Sequence, residues 1–424
     1  MIGMKVFCRL GDVMKKYRLS NVIVSVAMIA VLATGCGCYD SYTLIDKPSV
    51  PSIHQDTSSQ STTIKNENTT TQEPTTEEST TMPPVHIPTE EELLMEIVQG
   101  MTLEEKVGQM FIARCPADKA DRLAEEYHLG GYILFARDFE GKTKEQVVSD
   151  IQSYQSVSDI GMFIGVDEEG GIVNRVSKYT EFRGEPFKSP QDLYASGGYE
   201  LIKQDAIEKS ELLESLGINL NFAPVADVST DRTDFIYRRT LGLGASETST
   251  YIRTVVNAMN SRNMGSVLKH FPGYGGNDDT HEGIAYDDRA YDTFVSSDFL
   301  PFEAGIDSGA SMVMVAHNIV YCMDDKYPAS LSIRVHEILR KDLGFDGVII
   351  TDELSMEGVK QFASDKDVAV LAVQAGNDLL CCTNFQEQIG AVIDAVKSGD
   401  VSEERIDESV MRILKLKHNL GIIE

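Results

Sequence analysis

Eight short apolar runs set the first limit on what this chain can fold into. They are Gln109–Ala113, Gly131–Phe135, Met162–Val166, Asn219–Ala223, Ser266–Leu268, Met312–Ala316, Val348–Thr351 and Asp378–Cys381. Stretches of helical period alternate with them, namely Leu123–Tyr127, Lys144–Val157, Ile202–Leu216, Thr248–Asn263, Leu300–Ser308, Val335–Leu343, Val368–Ala375 and Glu387–Ser398. Short buried runs alternating with amphipathic segments are the signature of parallel βα units. Eight such units predict an α/β fold, a single (β/α)8 TIM-type barrel without a substantial second domain. An open doubly wound sheet is the alternative, but no G-x-G-x-x-G loop follows the first run. Thr102, with Glu105 three residues on, reads as the capping box of an early helix packed under the barrel. Ser402–Asn419 reads as the final helix.

Residues 1–38 read as an export signal. Lys15, Lys16 and Arg18 precede the apolar Asn21–Thr34, which is short for a membrane span. Ala33-Thr34-Gly35-Cys36 resembles a bacterial lipoprotein cleavage box, with Ala33 where Leu is usual. On that resemblance Cys36 is the lipidated residue, and the protein is exported and held on the outer face of the cell membrane. Secretion without the anchor is the alternative, and Met14 is an alternative start. Residues 39–88 are rich in Ser, Thr, Pro, Glu and Gln and nearly free of large apolar side chains. Such a stretch cannot offset its ordering entropy by burial and is expected to act as a disordered tether. The barrel is expected over residues 89–424.

The formal net charge of −28 argues against nucleic acid as a partner, which needs clustered Lys and Arg. It fits an exported protein acting on a neutral substrate. The seven Cys show neither zinc-ligand spacing nor a disulfide framework. Cys115, Cys322 and Cys381 read as small buried hydrophobes.

In a parallel barrel the reactive groups stand where strands end and βα loops begin. The third run ends in Asp167-Glu-Glu-Gly-Gly171, with Arg175 close behind. The fourth leads past Pro224 and Asp227 to Tyr237-Arg-Arg-Thr-Leu-Gly242, the fifth ends in Lys269-His270, the sixth in His317-Asn318 and the seventh in Asp352-Glu353. One mouth thus gathers carboxylates, arginines, a lysine and histidines. Taken singly, Asp167 or Glu353 could be a helix N-cap, and His317 a packed core histidine. His270, His281, His317 and Asp352 include metal-ligand types, but no H-E-x-x-H helix is present. No metal and no cofactor are expected.

Lys269-His-Phe-Pro-Gly273, Asp279-Thr-His281 and Gly347-Val-Ile-Ile-Thr-Asp-Glu-Leu-Ser-Met-Glu-Gly358 together resemble glycoside hydrolase family 3, in particular its bacterial β-N-acetylglucosaminidase branch. Met101-Thr-Leu-Glu-Glu-Lys-Val-Gly-Gln109 and Asp167-Glu-Glu-Gly-Gly171 agree with it. The resemblance implies a (β/α)8 barrel that removes terminal β-linked GlcNAc, from cell-wall muropeptides or related glycans, with retention. It implies Asp352 as nucleophile, His281 as general acid/base and Asp279 as the carboxylate that orients it. It implies Lys269 and His270 as ligands of sugar hydroxyls, and Asp167, Arg175 and Arg239 as further binding residues, with Arg238 a weaker rival to Arg239. The chain departs from the family in Tyr274-Gly-Gly-Asn277 and in Leu241, where an aromatic residue is usual. With no Trp in the chain, sugar stacking would fall to Tyr, Phe or His. A β-glucosidase or xylosidase, a GlcNAc phosphorylase and a non-catalytic wall-binding lipoprotein are the alternatives.

Overall fold

Eight parallel strands form the wall of a barrel. In the computed structural model, which describes residues 88–424 apart from Asp278, Asp279, His281, Glu282, Gln361 and Ser364, ten strands run in chain order. They are β1 (Phe111–Arg114), β2 (Gly131–Leu134), β3 (Phe163–Val166), β4 (Leu220–Asn221), β5 (Gly265–Phe271), β6 (Tyr286–Asp287), β7 (Met312–Val315), β8 (Ile319–Val320), β9 (Val348–Thr351) and β10 (Leu380–Cys382). The large sheet has the order β10-β1-β2-β3-β4-β5-β7-β9. A parallel bridge between Ile350 and Leu379 joins its two ends and closes the (β/α)8 barrel. The expected signal, its Cys36 and the linker lie outside the described residues, Pro88 excepted, and so do Asp279 and His281. Among the described residues no helix is long and apolar enough to cross a membrane.

All eight apolar runs become strands of this sheet because both their faces are covered, by the barrel interior and by the helices outside. Val348–Thr351 is buried along its whole length, as are Phe163–Val166 and Met312–Val315. The outer helices turn one apolar face inward. Ala245–Asn260 buries Tyr251, Ile252, Val255, Val256 and Met259. The last helix, Glu403–Asn419, buries Ile406, Val410, Ile413 and Leu414, each worth roughly 1.5–3 kcal/mol on full burial. The Thr102–Glu105 capping box forms, and Lys106 pairs with Asp407 of that last helix at 2.5 Å.

Several features differ from the expectation. The fourth run pairs regularly only over Leu220–Asn221, because Pro224 has no N–H for a ladder. The fifth strand runs on to Phe271, so Lys269 and His270 lie within it, beside a register shift against β7 between Leu268 and Phe271. A second capping box, Thr89 with Glu92, opens a helix over Glu90–Gly100 that the periodicity did not disclose. The loops after β5 and β7 also pair, as β6 with β8. Of the cysteines read as buried, Cys115 and Cys381 are, whereas Cys322 is exposed.

At the opposite end from the strand C-termini, Asp378 is fully buried. Its carboxylate accepts from Arg340, from Arg412 at 3.2 Å, from Ser409 at 2.9 Å and from the Ile349 N–H at 3.0 Å. Arg405 stands 3.6 Å away. This knot ties the final helix to the start of β9 and β10, a place where buried charge serves stability.

Candidate active site

The C-terminal ends of β3, β4 and β5 and the loops behind them bring five of the nominated side chains together. Lys269, buried in β5, sends its ammonium to Asp167 at 2.7 Å and to Glu169 at 2.6 Å. Arg239 reaches the same Glu169 with both arms of its fork, Nη2 to Oε1 at 2.8 Å and Nε to Oε2 at 3.0 Å. Its neighbour Arg238 is exposed, so of the two arginines Arg239 enters the cluster. Burial would push the Glu169 carboxyl up, but the charges of Arg239 and Lys269 outweigh it and hold the group far below the usual carboxylate range. The Arg239 guanidinium, which burial alone would weaken, is held above its ordinary value by Glu169.

His270 adds a fixed tautomer. Its Nδ1 lies 2.8 Å from Asp227 Oδ2, and its Nε2 lies 3.2 Å from Arg239 Nη2. A guanidinium only donates, so Nε2 accepts and Nδ1–H donates to Asp227. Both ring nitrogens therefore have protein partners, and the ring steers Arg239. Asp227 is buried and also accepts from the backbone N–H of His270 at 3.1 Å and of Tyr274 at 2.8 Å.

The segment after β3 is folded by its own acids and glycines. The buried Glu168 carboxylate accepts the N–H groups of Arg175, Val176 and Ser177 at 2.8, 2.7 and 3.2 Å, and also the Ser177 hydroxyl. This doubles the loop back and brings Arg175 within 3.7 Å of Asp167. Gly170 has φ +101, and a Cβ there would stand 2.3 Å from the Lys188 carbonyl, so no other residue fits the turn. Lys209, paired with Asp205 at 3.0 Å, donates to the Glu169 carbonyl at 3.0 Å and braces the turn from outside.

Asp352 follows β9 directly and is half-buried, its N–H donating to the Val315 carbonyl at 3.1 Å. It stands at the same end of the barrel as the cluster, because β9 runs parallel to the other strands of the sheet. The buried Cys381 thiol is raised first by burial and then by carboxylates that include Glu353, Asp352 and Asp167. Glu353 serves the scaffold: it accepts from the Thr383 N–H at 2.9 Å and the Ser355 N–H at 3.2 Å, and burial raises its carboxyl. His317 does likewise. Its Nε2 donates to the Glu353 carbonyl at 3.1 Å, which leaves Nδ1 to accept from Ser330 at 2.7 Å. Among the described residues no cluster of three His, Cys, Asp or Glu is placed to hold a metal ion.

The loop after β5 is secured at its root. Arg289 donates to Asp287 at 2.7 Å, to Asp298 at 2.9 Å and to the Gly273 carbonyl at 3.0 Å. Burial, against the pull of Arg289, pushes the Asp298 carboxyl up to about 6. Asn277 bridges Asp287 at 2.6 Å and the Tyr274 carbonyl at 2.7 Å. Glu169 and Tyr274 are given no role by the sequence, and Asp227 is marked there only as lying at the end of the fourth run. The signal for Glu169 was present in the run Asp167-Glu-Glu, but only the fold separates it from Glu168.

The chain is 30% identical over 305 residues to a β-hexosaminidase of Thioalkalivibrio sulfidiphilus, covering 71% of this chain and 85% of that protein. It is 29% identical over 335 residues to β-hexosaminidase A of Pseudoalteromonas piscicida, covering 70% of this chain and 54% of that one. Among solved structures, a family 3 β-N-acetylglucosaminidase from Paenibacillus sp. str. FPU-7 matches with a TM-score of 0.71 and 32% identity, covering 76% of this chain and 63% of that one. This chain thus spans about half the length of the Pseudoalteromonas protein and under two thirds of the Paenibacillus one. Residues 102–416, which hold the whole barrel and every charged group just described, match the N-terminal domain of glycosyl hydrolase family 3, and the chain belongs to that family.

Proposed function

We propose that this protein is a retaining exo-β-N-acetylglucosaminidase that hydrolyses terminal β-linked GlcNAc from cell-wall muropeptides or related glycans. The observation that carries the reading is the cluster Asp167–Lys269–Glu169–Arg239–His270 at the same barrel end at which Asp352 follows β9, in a chain of this family. The names of the relatives, β-hexosaminidase and β-N-acetylglucosaminidase, support the choice of sugar.

In this reading a carboxylate oxygen of Asp352 attacks the anomeric carbon as the bond to the leaving oxygen breaks. Protonated His281 gives its proton to that oxygen, and the alcohol departs. Water then attacks the same carbon of the glycosyl ester and passes a proton back to His281, which restores the Asp352 carboxylate and the β-configuration. Asp279 holds the imidazole ring in register. Asp167 offers acceptors to sugar hydroxyls, while Lys269, Arg239 and Arg175 offer donors, His270 acting through Arg239. Glu169 keeps the two cations in place without exposing them to water. Such contacts help most where they strengthen in the oxocarbenium-like transition state.

The same proposal places the protein outside the cell, tethered through lipid on Cys36, on the strength of the apolar segment and the cleavage-box resemblance within residues 1–38. Metabolic labelling with a fatty acid, lost in Cys36→Ala, is the expected outcome.

Nitrophenyl β-glycosides of GlcNAc, GalNAc, Glc and Xyl, assayed with and without phosphate, test the function. Turnover of the GlcNAc glycoside well above the others, giving free sugar in phosphate, supports it. Preference for Glc or Xyl, or release of a sugar phosphate, contradicts it.

A further inference from the structure

Tyr274 and Thr280 bind each other inside the loop that follows β5. Tyr274 is 1% exposed and Thr280 is wholly buried. Their hydroxyl oxygens lie 2.5 Å apart in a single hydrogen bond. Thr280 is held at its backbone as well, where its carbonyl accepts from the Gly358 N–H at 3.2 Å. Gly358 belongs to the segment that follows Asp352. A Cβ at Gly358 would stand 3.0 Å from the Thr280 carbonyl oxygen and 3.1 Å from that of Gly283, so the glycine permits the close approach of the two loops.

Tyr274 is itself anchored on its other side. Its N–H donates to Asp227, the carboxylate that also holds His270. Its ring packs edge-on against His270 and Phe235, with centroids 5.1 Å away in each case. A rigid phenol thus spans from the sugar-binding cluster on β5 to Thr280. Burial first, and then the charge of Asp352, keep that phenol protonated, so the bond to Thr280 persists across the working pH range.

Thr280 is the residue between Asp279 and His281. We propose that Tyr274 is a positioning residue for proton transfer: by holding Thr280 it sets where the acid/base stands relative to Asp352. The proposal rests on the reading that His281 is the acid/base and Asp352 the nucleophile. It also gives a physical role to the departure Tyr274-Gly-Gly-Asn277, where glycines let the chain turn while Tyr274 and Asn277 tie it down.

The test compares Tyr274→Phe and Thr280→Val with wild type and His281→Ala, using kcat/KM for two β-GlcNAc glycosides. One carries dinitrophenolate, which departs without a proton; the other carries an alkyl alcohol, which needs one. A displaced acid is expected to cost about ten- to hundredfold on the alkyl glycoside and less than about threefold on the dinitrophenyl one, since small misplacements carry penalties of that order. The limb of the pH profile that reports the acid moves in the same two variants, while the thermal midpoint stays near that of wild type. Equal losses on both glycosides, or none on either, overturn the positioning role. Thr280→Val keeps the tyrosine and removes only the second hydroxyl, so it decides the matter if Tyr274→Phe does not fold. If His281→Ala shows the leaving-group dependence and the other two do not, only the positioning role fails. If His281→Ala lacks it as well, the acid/base reading fails and takes the positioning role with it.

Discussion

Glu169 and Lys269 meet at 2.6 Å in the barrel mouth, and both side chains are almost completely withdrawn from water. Neither is stable there alone. Arg239 closes the group from the other side, so one carboxylate serves two cations. Glu169→Gln leaves those cations facing an amide in a site of low polarity. Breaking a buried pair of this kind costs about 3–5 kcal/mol. The expected result is a marked drop in the denaturation midpoint, together with a large loss of kcat/KM on a β-GlcNAc glycoside as Lys269 and Arg239 lose their fixed positions. Unchanged stability in a denaturant titration would show that Glu169 is dispensable to the cluster.

Acid sensitivity follows from the same carboxylate. Its folded-state pKa is depressed below the unfolded value, so its contribution is present above the ordinary Glu pKa of about 4.3 and is lost as pH falls below it. Wild type should therefore lose stability below about pH 4 more steeply than Glu169→Gln does, in thermal melts across that range.

Lys417 carries a second pH dependence of the same sense, at higher pH. It is fully buried, donates to Gln109 Oε1 at 2.7 Å, and stands 5.1 Å from the Phe163 ring centroid. Burial lowers its ammonium to about 7. The unfolded lysine stays protonated to about pH 10.4, so between those values the unfolded state binds the extra proton and stability rises with pH. The rise should be visible from pH 7 to about 8.5, with a slope of up to about 1.4 kcal/mol per pH unit. Above that range the buried Cys381 and Cys382 thiols, raised by burial, begin to act in the opposite direction. Lys417→Met should flatten the rise in a series of denaturation curves; an unchanged slope would contradict the assignment.

Asp378 should be the costliest single change away from the mouth. Three arginines converge on it at the far end of the barrel. Asp378→Asn is expected to destabilise by about 3–5 kcal/mol. Any folded fraction should keep its KM for a β-GlcNAc glycoside, because no group in the knot belongs to the mouth. A raised KM at full stability would be the contrary result.

The barrel was legible because its evidence is repetitive: eight apolar runs and their amphipathic partners each carry a little of the signal. The Thr102-x-x-Glu105 box could be read for the same local reason. The mouth was legible only in part. Strand ends nominated Asp167, Arg175, Arg239, Lys269 and His270, and the fold gathers these five. Which of the two glutamates joins Lys269 and which holds the backbone of 175–177 depends on three-dimensional register, so the sequence does not single out Glu169. His317 is ambiguous in the sequence because Ser330 and the Glu353 carbonyl, which its ring meets, come from other parts of the chain. Cys322 was read as buried from its neighbours, although the segment after β8 carries it to the surface. Tyr274 looked like a mere departure from a motif until its bond to Thr280 showed what the side chain holds.

In the proposed reaction Asp352 forms the glycosyl-enzyme bond. The most direct test of this is turnover of a dinitrophenyl β-GlcNAc glycoside by wild type and Asp352→Ala, with and without azide. Asp352→Ala is expected to lose at least about a thousandfold in kcat, as removal of a covalent nucleophile does, and azide is expected to restore turnover while yielding the α-glycosyl azide. Full activity in Asp352→Ala, or a β-glycosyl azide from that variant, would contradict it.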